Sequence, residues 1–378
     1  MRRRSRPTAS GPRRRVLLVS HEASRSGAPR VAVMIARGLV RAGDDVRIVS
    51  RTAGPLMTDF KAVAPASVEP LHRARRRLRR LPGGNRVARL ADQLAAAGVI
   101  LASRADVVYV NSSAAASYLR AARWLRRRTV LHLHESAAVA GQFLDAASVT
   151  AGLTGVQLIA CSPSVRDDVA RLLGRAPGDL TLVPSVPDAA EVERRAKEAL
   201  DSTYEPDELV IGCCGTAERR KGPDLWVQAA RIVLQRLPQL RVRFVWVGDV
   251  AEAVQTLPGE PIEFIGPRDN PYPHMRRFDI ATLPSRDDPF PLVVLEAMSL
   301  GVPVVAFAVG GVPQQIGDAG ILVPVEDVDA LADAVVELLE RADSRASLGA
   351  AGRQRVEDMY SAAAFDEAVA GLVREGND

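Results

Sequence analysis

The chain has 378 residues, of which 47% are hydrophobic and 25% charged, a composition typical of a soluble globular protein with two or so domains. Its three cysteines, Cys161, Cys213 and Cys214, are too few for a disulfide framework or a four-thiolate zinc site, and they favour a reducing cytoplasm. The sequence shows neither an unbroken apolar stretch of ~20 residues nor a signal-peptide core, which argues against a membrane span and against secretion.

Charge is divided unequally along the chain. Residues 1–180 carry 31 Lys or Arg against 12 Asp or Glu, a net +19, whereas residues 181–378 carry 19 against 33, a net −14. The split indicates a basic half that meets an anionic ligand or surface, although only three of the basic residues are lysines and many arginines fit ordinary surface positions. Residues 1–13 are predicted to form a disordered basic tail.

A second arginine-rich stretch lies at residues 71–90, with six arginines between positions 73 and 80. Leu71, Leu78 and Leu81 give this stretch a narrow apolar stripe, which predicts a basic helix. Two interpretations stay open for it: contact with anionic lipid headgroups or an acidic acceptor, and a solvated insertion. The first would place the protein in the cytoplasm, peripherally at the inner face of the membrane.

Short apolar runs alternate with longer segments of helical spacing, which is typical of parallel sheets covered by helices. The stretch from Pro184 to Pro206 lacks a strand pattern, so we predict an α/β fold with one domain over 14–187 and another over 207–360. The predicted strands are VLLVS (16–20), VRIVS (46–50), DVVYV (106–110), TVLHLH (129–134), LIACS (158–162) and LTLVPS (180–185), then LVIGCCG (209–215), VRFVWVG (242–248), IEFIG (262–266), DIATLPS (279–285), PVVAF (303–307) and GILVP (320–324).

Open parallel sheets bind ligands at the carboxyl ends of their strands, so the turns at these ends are the first candidates for binding residues. After the first strand, Gly27 and Ala28 would let the backbone approach a ligand at a helix N-terminus, although small residues before a helix are more often mere packing. On TVLHLHE, His132 and His134 project from one face of the strand. With Glu135 they give weak support for a zinc site; a core histidine and a general base or phosphate contact are the other interpretations.

Two turns of the second half carry charge. Arg219, Arg220 and Lys221 precede a helix expected to begin near Gly222 or Pro223. Two interpretations stay open: the cations bind an anion such as a diphosphate at the helix N-terminus, or they form a solvated charge cluster. In SRDDPFPLVVLEAMS, Pro291 is expected at the first position of a helix.

The acidic residues Asp288 and Glu296 are eight positions apart, which lets the two carboxylates face one cleft. They fit either a hydrolytic acid and base or the recognition of sugar hydroxyls. A helix-capping role would explain Asp287 or Asp288 but not Glu296 in an apolar helix face.

The segments GTAERRKG (215–222), NPYPHMRRFDIATLPSRDDPFPLVVLEAMSLGVPVVAF (270–307) and GGVPQQI (310–316) resemble glycosyltransferase family 4. SGAPR, NSS (111–113), HLHES (132–136), ACSPSV (160–165) and LVPSVPD (182–188) add weaker matches in the first half. The resemblance implies a GT-B fold, with two Rossmann-like domains facing each other across a cleft and a C-terminal helix at 361–375 that packs back on the first domain.

The resemblance also implies roles for individual residues. Asp288 and Glu296 match the family's two acidic positions, at the donor sugar and the nucleotide ribose. Lys221 would stabilise the departing diphosphate without a metal, and His134 would lie near the transferring sugar. The sequence departs from the family in having Asp288 for Glu, Pro291 for Gly, Gln314 for an acid and Thr216 for Arg. The remaining residues implied at the donor are Gly27, Ala28, Gly215, Arg219, Arg220, Phe290, Leu292 and Val293.

By resemblance, the protein is expected to be a retaining, metal-independent glycosyltransferase that uses a UDP- or GDP-linked sugar as co-substrate and needs no cofactor. The acceptor would be a saccharide, a lipid-linked or a small-molecule hydroxyl, and no nucleic acid is expected as a partner. A nucleotide-sugar epimerase or hydrolase of the same fold is the alternative within enzymes. A non-catalytic module that binds nucleic acid or membrane is the alternative outside them, and it leaves the second half unexplained.

Overall fold

The computed structural model describes residues 13–70, 72, 84–150, 153–202, 204–251 and 254–374. The tail predicted at 1–13, except for residue 13, and the arginine-rich segment 73–80 lie outside these residues. The chain divides into two compact units, one of Met1–Pro184 with Ala363–Asp378 and one of Ser185–Ala362. The stretch from Pro184 to Pro206, predicted as a boundary, contains the helix Ala189–Arg195 within the second unit.

The first unit is built on a parallel sheet of seven strands in the order β3-β2-β1-β4-β5-β6-β7. The central strands are buried along nearly their whole length, which explains why they are continuous apolar runs rather than alternating ones. The strands are β1 (Arg15–Ser20), β2 (Asp45–Ser50), β3 (Ala66–Val68), β4 (Val107–Val110), β5 (Arg128–Leu133), β6 (Val156–Ala160) and β7 (Leu180–Leu182).

Helices connect these strands, as parallel pairing requires. Strand order reverses between β1 and β4, so the turns after these two strands meet at a topological switch point. The helices of the first unit are Gly27–Arg41, Met57–Val63, Gly84–Ser103, Ser117–Trp124, Ala137–Ala146, Pro163–Leu173 and Ala362–Arg374, with 3₁₀ turns at Ser113–Ala115 and Pro177–Asp179.

The second unit has a parallel sheet of six strands in the order β10-β9-β8-β11-β12-β13, with its switch point between β8 and β11. Its strands are β8 (Leu209–Cys214), β9 (Val242–Val247), β10 (Ile262–Phe264), β11 (Ile280–Leu283), β12 (Val304–Phe307) and β13 (Ile321–Val323). Its helices are Ala189–Arg195, Pro223–Arg236, Tyr272–Arg277, Leu292–Ser299, Val312–Ile316, Val328–Glu340 and Ala342–Met359, with a 3₁₀ turn at Arg219–Lys221.

Aromatic side chains fill the core on one face of the second sheet. Trp226, from the helix Pro223–Arg236, packs edge-on against Phe244 and Trp246 of β9 and Phe264 of β10, with ring centroids 5.3–5.8 Å apart. Its buried indole N–H donates to the Thr282 hydroxyl of β11 at 2.8 Å. Trp226 thus fixes the helix that follows β8 to three strands and sets where that helix begins.

All twelve predicted strands are present, mostly with ends one or two residues shorter. The unpredicted strand β3 is three residues long at the sheet edge, with two of them exposed, so it lacks the apolar run that marks the others. Pro291 is the N-cap of its helix rather than the first helical residue. Among the described residues, no helix combines the length and the hydropathy needed to cross a bilayer.

The C-terminal helix Ala362–Arg374 packs on the first unit through its charges and its backbone. Arg41 pairs with Asp366 at 2.5 Å. Arg128 donates to the carbonyls of Leu372 and Val373 at 2.7 and 3.1 Å, which pairs two of the acceptors that a helix C-terminus otherwise leaves unpaired. Gly38 permits this approach, since a Cβ there would lie 2.6 Å from Asp366 Oδ1 and 3.3 Å from its Cα.

Replacing Gly38 by Ala is therefore expected to destabilise the protein by about 1–2 kcal/mol, because the overpacking outweighs the better helix propensity of Ala. The matched control is Gly371→Ala in the C-terminal helix, where a Cβ would meet nothing within 4 Å. That variant should gain about 0.5–1 kcal/mol. Urea unfolding of both variants checks the pair, and equal effects would mean that the helix is not packed closely against Gly38.

Candidate active site

The turn after β1 in the first unit is organised around a carboxylate. Glu22 accepts hydrogen bonds from the hydroxyls of Ser24 and Ser26 at 2.5 and 3.2 Å, and His21 lies 3.6 Å from it. The neighbouring His21, together with the hydrogen bonds from the two serines, lowers the pKa of Glu22 to about 2. The helix Gly27–Arg41 therefore begins beside a permanent negative charge. A Cβ on Gly27 would meet nothing within 4 Å, so the start of this helix is open.

Asn111, which follows β4, connects this turn to the end of β5. Its amide N–H donates to the Ala28 carbonyl at 2.7 Å, and its amide oxygen lies 2.9 Å from His134 Nε2. Because the oxygen can only accept, His134 must donate from Nε2. Burial, with His132 and His21 nearby, keeps the pKa of His134 well below its usual range. His134 is therefore a neutral imidazole whose lone pair is on Nδ1.

His132 is a core residue. Its ring is fully buried, its Nδ1 lies 3.0 Å from the Tyr109 hydroxyl, and its ring centroid is 4.1 Å from that of His134. Burial lowers the pKa of His132 to about 3. Of the open interpretations for this histidine, the structure supports the structural one.

Glu135 is held by the NSS segment. The hydroxyls of Ser112 and Ser113 donate to it, as do the backbone N–H groups of Ser113 and His134. Ser112 adopts a φ of +151°, which a non-glycine residue rarely takes and which this network holds in place. Across the part of the chain that the structure describes, no group of three or more His, Cys, Asp or Glu could hold a metal ion.

In the second unit, two loops meet at the carboxyl edge of the neighbouring strands β8 and β11. We call residues 215–222 and 284–291 the paired loops. Gly222 has a φ of +69°, and a Cβ on it would lie 2.1 Å from the Pro284 carbonyl. Gly310 has a φ of +54°, and its Cβ would lie 2.0 Å from the Asp288 carbonyl. Only glycine satisfies both the backbone conformation and the contact at these two positions.

Lys221 and Asp288 are brought together by this approach. Lys221 Nζ lies 2.5 Å from Asp288 Oδ2, and the carboxylate is buried, with 5% of the residue exposed. Arg220 is 3.8 Å from the same oxygen, and Ser285 donates to it at 3.4 Å. Gly215 has room for the lysine stem, since a Cβ there would lie 3.7 Å from Lys221 Cε. The structure thus gathers the predicted residues Gly215, Arg220, Lys221 and Asp288.

Arg286, which sequence reasoning missed, fastens the paired loops. It donates to the Arg219 carbonyl at 2.9 Å and grips both oxygens of Asp224 at 2.8 and 2.7 Å. This bidentate bond raises the pKa of Arg286 and lowers that of Asp224. Arg220 adds a second link between the paired loops by donating to the Asp287 carbonyl at 2.9 Å. The signal available in the sequence was SRDD, an arginine inside an acidic turn.

The Asp224 carboxylate already lies at the N-terminus of the helix Pro223–Arg236. Pro223 has no N–H, and the backbone N–H groups of Asp224 and Leu225 hydrogen bond the Asp224 carboxylate and help to lower its pKa. Lys221 points to Asp288, so the three cations do not converge on this helix. The helix Leu292–Ser299 has no side-chain cap, and its first turn follows directly on the paired loops.

Glu296 lies in the helix Leu292–Ser299 and is 2% exposed. It accepts a hydrogen bond from the Tyr272 hydroxyl at 3.2 Å, and Arg195 lies over the Tyr272 ring at 5.5 Å. Of the neighbouring donor residues expected, Phe290 and Leu292 are buried, with Phe290 packed on Tyr360, while Val293 is partly exposed. Phe290 and Leu292 can therefore meet a ligand through backbone rather than through ring or alkyl surface.

Two parallel-sheet units, each with its candidate residues at the switch point of the sheet, define a GT-B fold. Residues 25–190 match the family described as Glycosyltransferase Family 4, and residues 208–341 match Glycosyl transferases group 1. Each half of the chain thus matches a glycosyltransferase family model, which agrees with the resemblance to glycosyltransferase family 4.

Related proteins match part of the chain, and solved structures share its fold. A D-inositol 3-phosphate glycosyltransferase of Saccharomonospora viridis is 30% identical over 50% of this chain and 49% of its own. A GDP-mannose-dependent monoacylated alpha-(1-6)-phosphatidylinositol monomannoside mannosyltransferase of Corynebacterium glutamicum is 30% identical over 47% and 49%. The chain thus spans about half the length of these relatives. The crystal structure of Anabaena HepE with UDP-glucose superimposes with a TM-score of 0.74 at 18% identity, covering 95% of this chain and 98% of that one.

The neutral histidines predict acid sensitivity of the fold. Below the ordinary histidine pKa of about 6.5 the unfolded chain takes up a proton at His132, whereas the folded chain does so only near pH 3, so stability falls as pH falls through this window. The loss is at most about 1.4 kcal/mol per pH unit for one histidine. His132→Gln should give a shallower decline in urea unfolding free energy between about pH 7 and pH 5 than the unsubstituted protein. Parallel declines would show that His132 can be protonated in the folded chain.

Proposed function

We propose that the protein transfers a sugar from a nucleoside diphosphate donor to an acceptor hydroxyl with retention of configuration and without a metal ion. The observation that carries the proposal is the contact between Lys221 and the buried Asp288 at the switch point of the second sheet. A fixed ammonium at this edge is what a departing diphosphate requires, because the phosphate gains negative charge as its bond to the sugar breaks. The match of both halves of the chain to glycosyltransferase family models supports the same chemistry.

The diphosphate would be received by two features of the second unit. Lys221 supplies a positive charge whose position Asp288 and the paired loops hold before the donor arrives. The first turn of the helix Leu292–Ser299, which has no side-chain cap, supplies backbone N–H groups and the positive end of the helix dipole. Because both are held in advance, little reorganisation is needed when charge develops on the leaving group.

The two carboxylates would divide the rest of the donor between them. Asp288 has a second oxygen with which to accept a hydrogen bond from a sugar hydroxyl while the first remains with Lys221. Glu296 would accept from the ribose hydroxyls, and Tyr272 fixes the orientation of its carboxylate. In the first unit, the neutral His134 would accept a hydrogen bond at Nδ1 from a hydroxyl of the sugar or the acceptor.

The reaction would be a front-face displacement. The bond between the anomeric carbon and the diphosphate oxygen breaks, the acceptor oxygen bonds to the same face of that carbon, and the acceptor proton passes to the departing diphosphate. Lys221 compensates the charge left on the diphosphate. No side chain of the protein takes the proton or forms a bond to the sugar in this scheme.

The relatives suggest which substrates to test first. HepE was crystallised with UDP-glucose, whereas the Corynebacterium glutamicum relative is named for GDP-mannose, so both nucleotides belong in the donor panel. The Saccharomonospora viridis relative is named for D-inositol 3-phosphate, which makes a phosphorylated polyol the first acceptor to try. Thermal stabilisation by each nucleotide, measured before any acceptor is known, identifies the donor base.

Lys221→Ala should lower kcat by about 100-fold while changing donor Kd by less than about fivefold, because its charge matters most in the transition state. The matched control is Lys197→Ala, which removes a lysine of the same unit that is 63% exposed and paired with Glu193. Steady-state kinetics and titration with the nucleoside diphosphate separate the two effects. A loss of affinity with unchanged kcat would assign Lys221 to ground-state binding and contradict the proposed role.

Activity should persist in excess EDTA, because Lys221 and the helix N-terminus provide the charge that a divalent ion supplies in metal-dependent transferases. The assay follows both acceptor-linked sugar and free sugar. A strict requirement for magnesium or manganese would exclude the metal-free scheme. Release of free sugar that no acceptor converts to transfer would point instead to a hydrolase of the same fold.

A further inference from the structure

Asn111 is a fully buried residue that joins three elements of the first unit. It follows β4, and its backbone N–H donates to the Val19 carbonyl of β1 at 2.9 Å. Its side-chain N–H donates to the Ala28 carbonyl in the first turn of the helix Gly27–Arg41 at 2.7 Å. Its side-chain oxygen lies 2.9 Å from Nε2 of His134, which follows β5. One side chain therefore links the start of a helix to the histidine ring.

The contact with Ala28 fixes which end of the Asn111 amide meets the histidine. A carbonyl can only accept a hydrogen bond, so the amide nitrogen must face Ala28 and the amide oxygen must face His134. Exchanging the two ends would place two buried acceptors against each other at Ala28, which is costly. The neutral histidine then has one form that satisfies the contact, with the proton on Nε2 and the lone pair on Nδ1.

The surroundings of the His134 ring favour this neutral form. The ionisable groups of the adjoining turns and strand are His21, Glu22, His132 and Glu135. Burial, together with His132 and His21, keeps the pKa of His134 well below its usual range. Glu22 lies 3.6 Å from His21, and the Glu135 carboxylate is held by hydroxyl and backbone N–H donors. At Nε2 the ring thus meets a neutral amide oxygen rather than a carboxylate.

We propose that Asn111 is a positioning residue that imposes the Nε2-protonated form on His134 and so makes Nδ1 an acceptor of hydrogen bonds only. The substrate group that meets His134 must then bring its own proton, as a hydroxyl does, whereas a carboxylate or phosphate oxygen would meet a lone pair. The contact with substrate rests on the proposed transfer reaction. The position of the proton on the ring does not, so the two can be tested separately.

Nitrogen-15 NMR of the histidine rings tests the position of the proton, and the chain has only five histidines. His134, assigned by the loss of its signal in His134→Gln, should carry its proton on Nε2 throughout a titration from about pH 8 to about pH 4. Asn111→Asp keeps the size of the side chain but sets a negative charge against Nε2, which favours the imidazolium. We therefore expect the ring to titrate about two pH units higher in this variant.

Two further variants complete the NMR experiment. Asn111→Ala removes the acceptor that selects one form, so both neutral forms of the His134 ring should be populated. Asn270→Asp is the matched control, because Asn270 also donates to a backbone carbonyl, that of Arg195 at 2.8 Å, but lies in the second unit. It should leave the His134 signals unchanged. Circular dichroism establishes that each variant is folded.

Three NMR results would overturn the proposal. The first is a His134 ring protonated on Nδ1 in the unsubstituted protein, and the second is a single unchanged form in Asn111→Ala. The third is a titration of His134 that Asn111→Asp does not move.

Kinetics test the consequence for the reaction. In Asn111→Asp, kcat/KM should fall on the acid side with the midpoint of the NMR titration, and at about pH 8 it should recover to within about fivefold of the unsubstituted value, because the ring is neutral again. An equal loss at every pH would assign Asn111 a merely structural role and overturn the proposal. A protein without transferase activity would contradict the proposed function, while the NMR results would still decide the role of Asn111.

Discussion

The contact between Lys221 and Asp288 is the constraint on which the second unit's site depends. A buried carboxylate is costly without a charged partner, so the loop that carries Asp288 is stable only where the lysine reaches it. That reach requires the two loops to touch, and Gly222 lacks the side chain that would prevent it. The same pair leaves an ammonium at the edge of the sheet where ligands of such folds bind.

The two units differ in the charged groups that lie at the carboxyl edge of the sheet. In the second unit, the cations Arg220, Lys221 and Arg286 contact acids and carbonyls, which gives a rigid edge. In the first unit, burial keeps His132 and His134 neutral, and the charge at the corresponding edge comes from the carboxylate of Glu22. The first unit is therefore better suited to hydroxyl groups than to phosphates at this edge, in keeping with an acceptor-side role for His134.

The periodicity of the sequence predicted the buried strands, but it did not predict features that depend on tertiary contacts. Buried strands need apolar runs, so twelve strands could be located, whereas β3 is short and exposed at an edge and leaves no such pattern. Lys221 and Asp288 could be proposed as site residues because both follow strands of the second half. The sequence marked Asn111 only within the NSS segment and did not indicate Arg286, since their partners are 83 and 62 positions away in the chain. Spacing cannot reveal such pairings.

The division of the chain has a practical consequence for dissecting the protein. Residues 185–362 form one uninterrupted stretch, whereas the other unit combines residues up to Pro184 with the final helix. A fragment ending at Pro184 would lack the backbone that Arg128 contacts and would leave the surface around Gly38 bare. Isolating the first unit therefore requires residue 184 to be linked to residue 363, while the second unit can be excised with a single cut at each end.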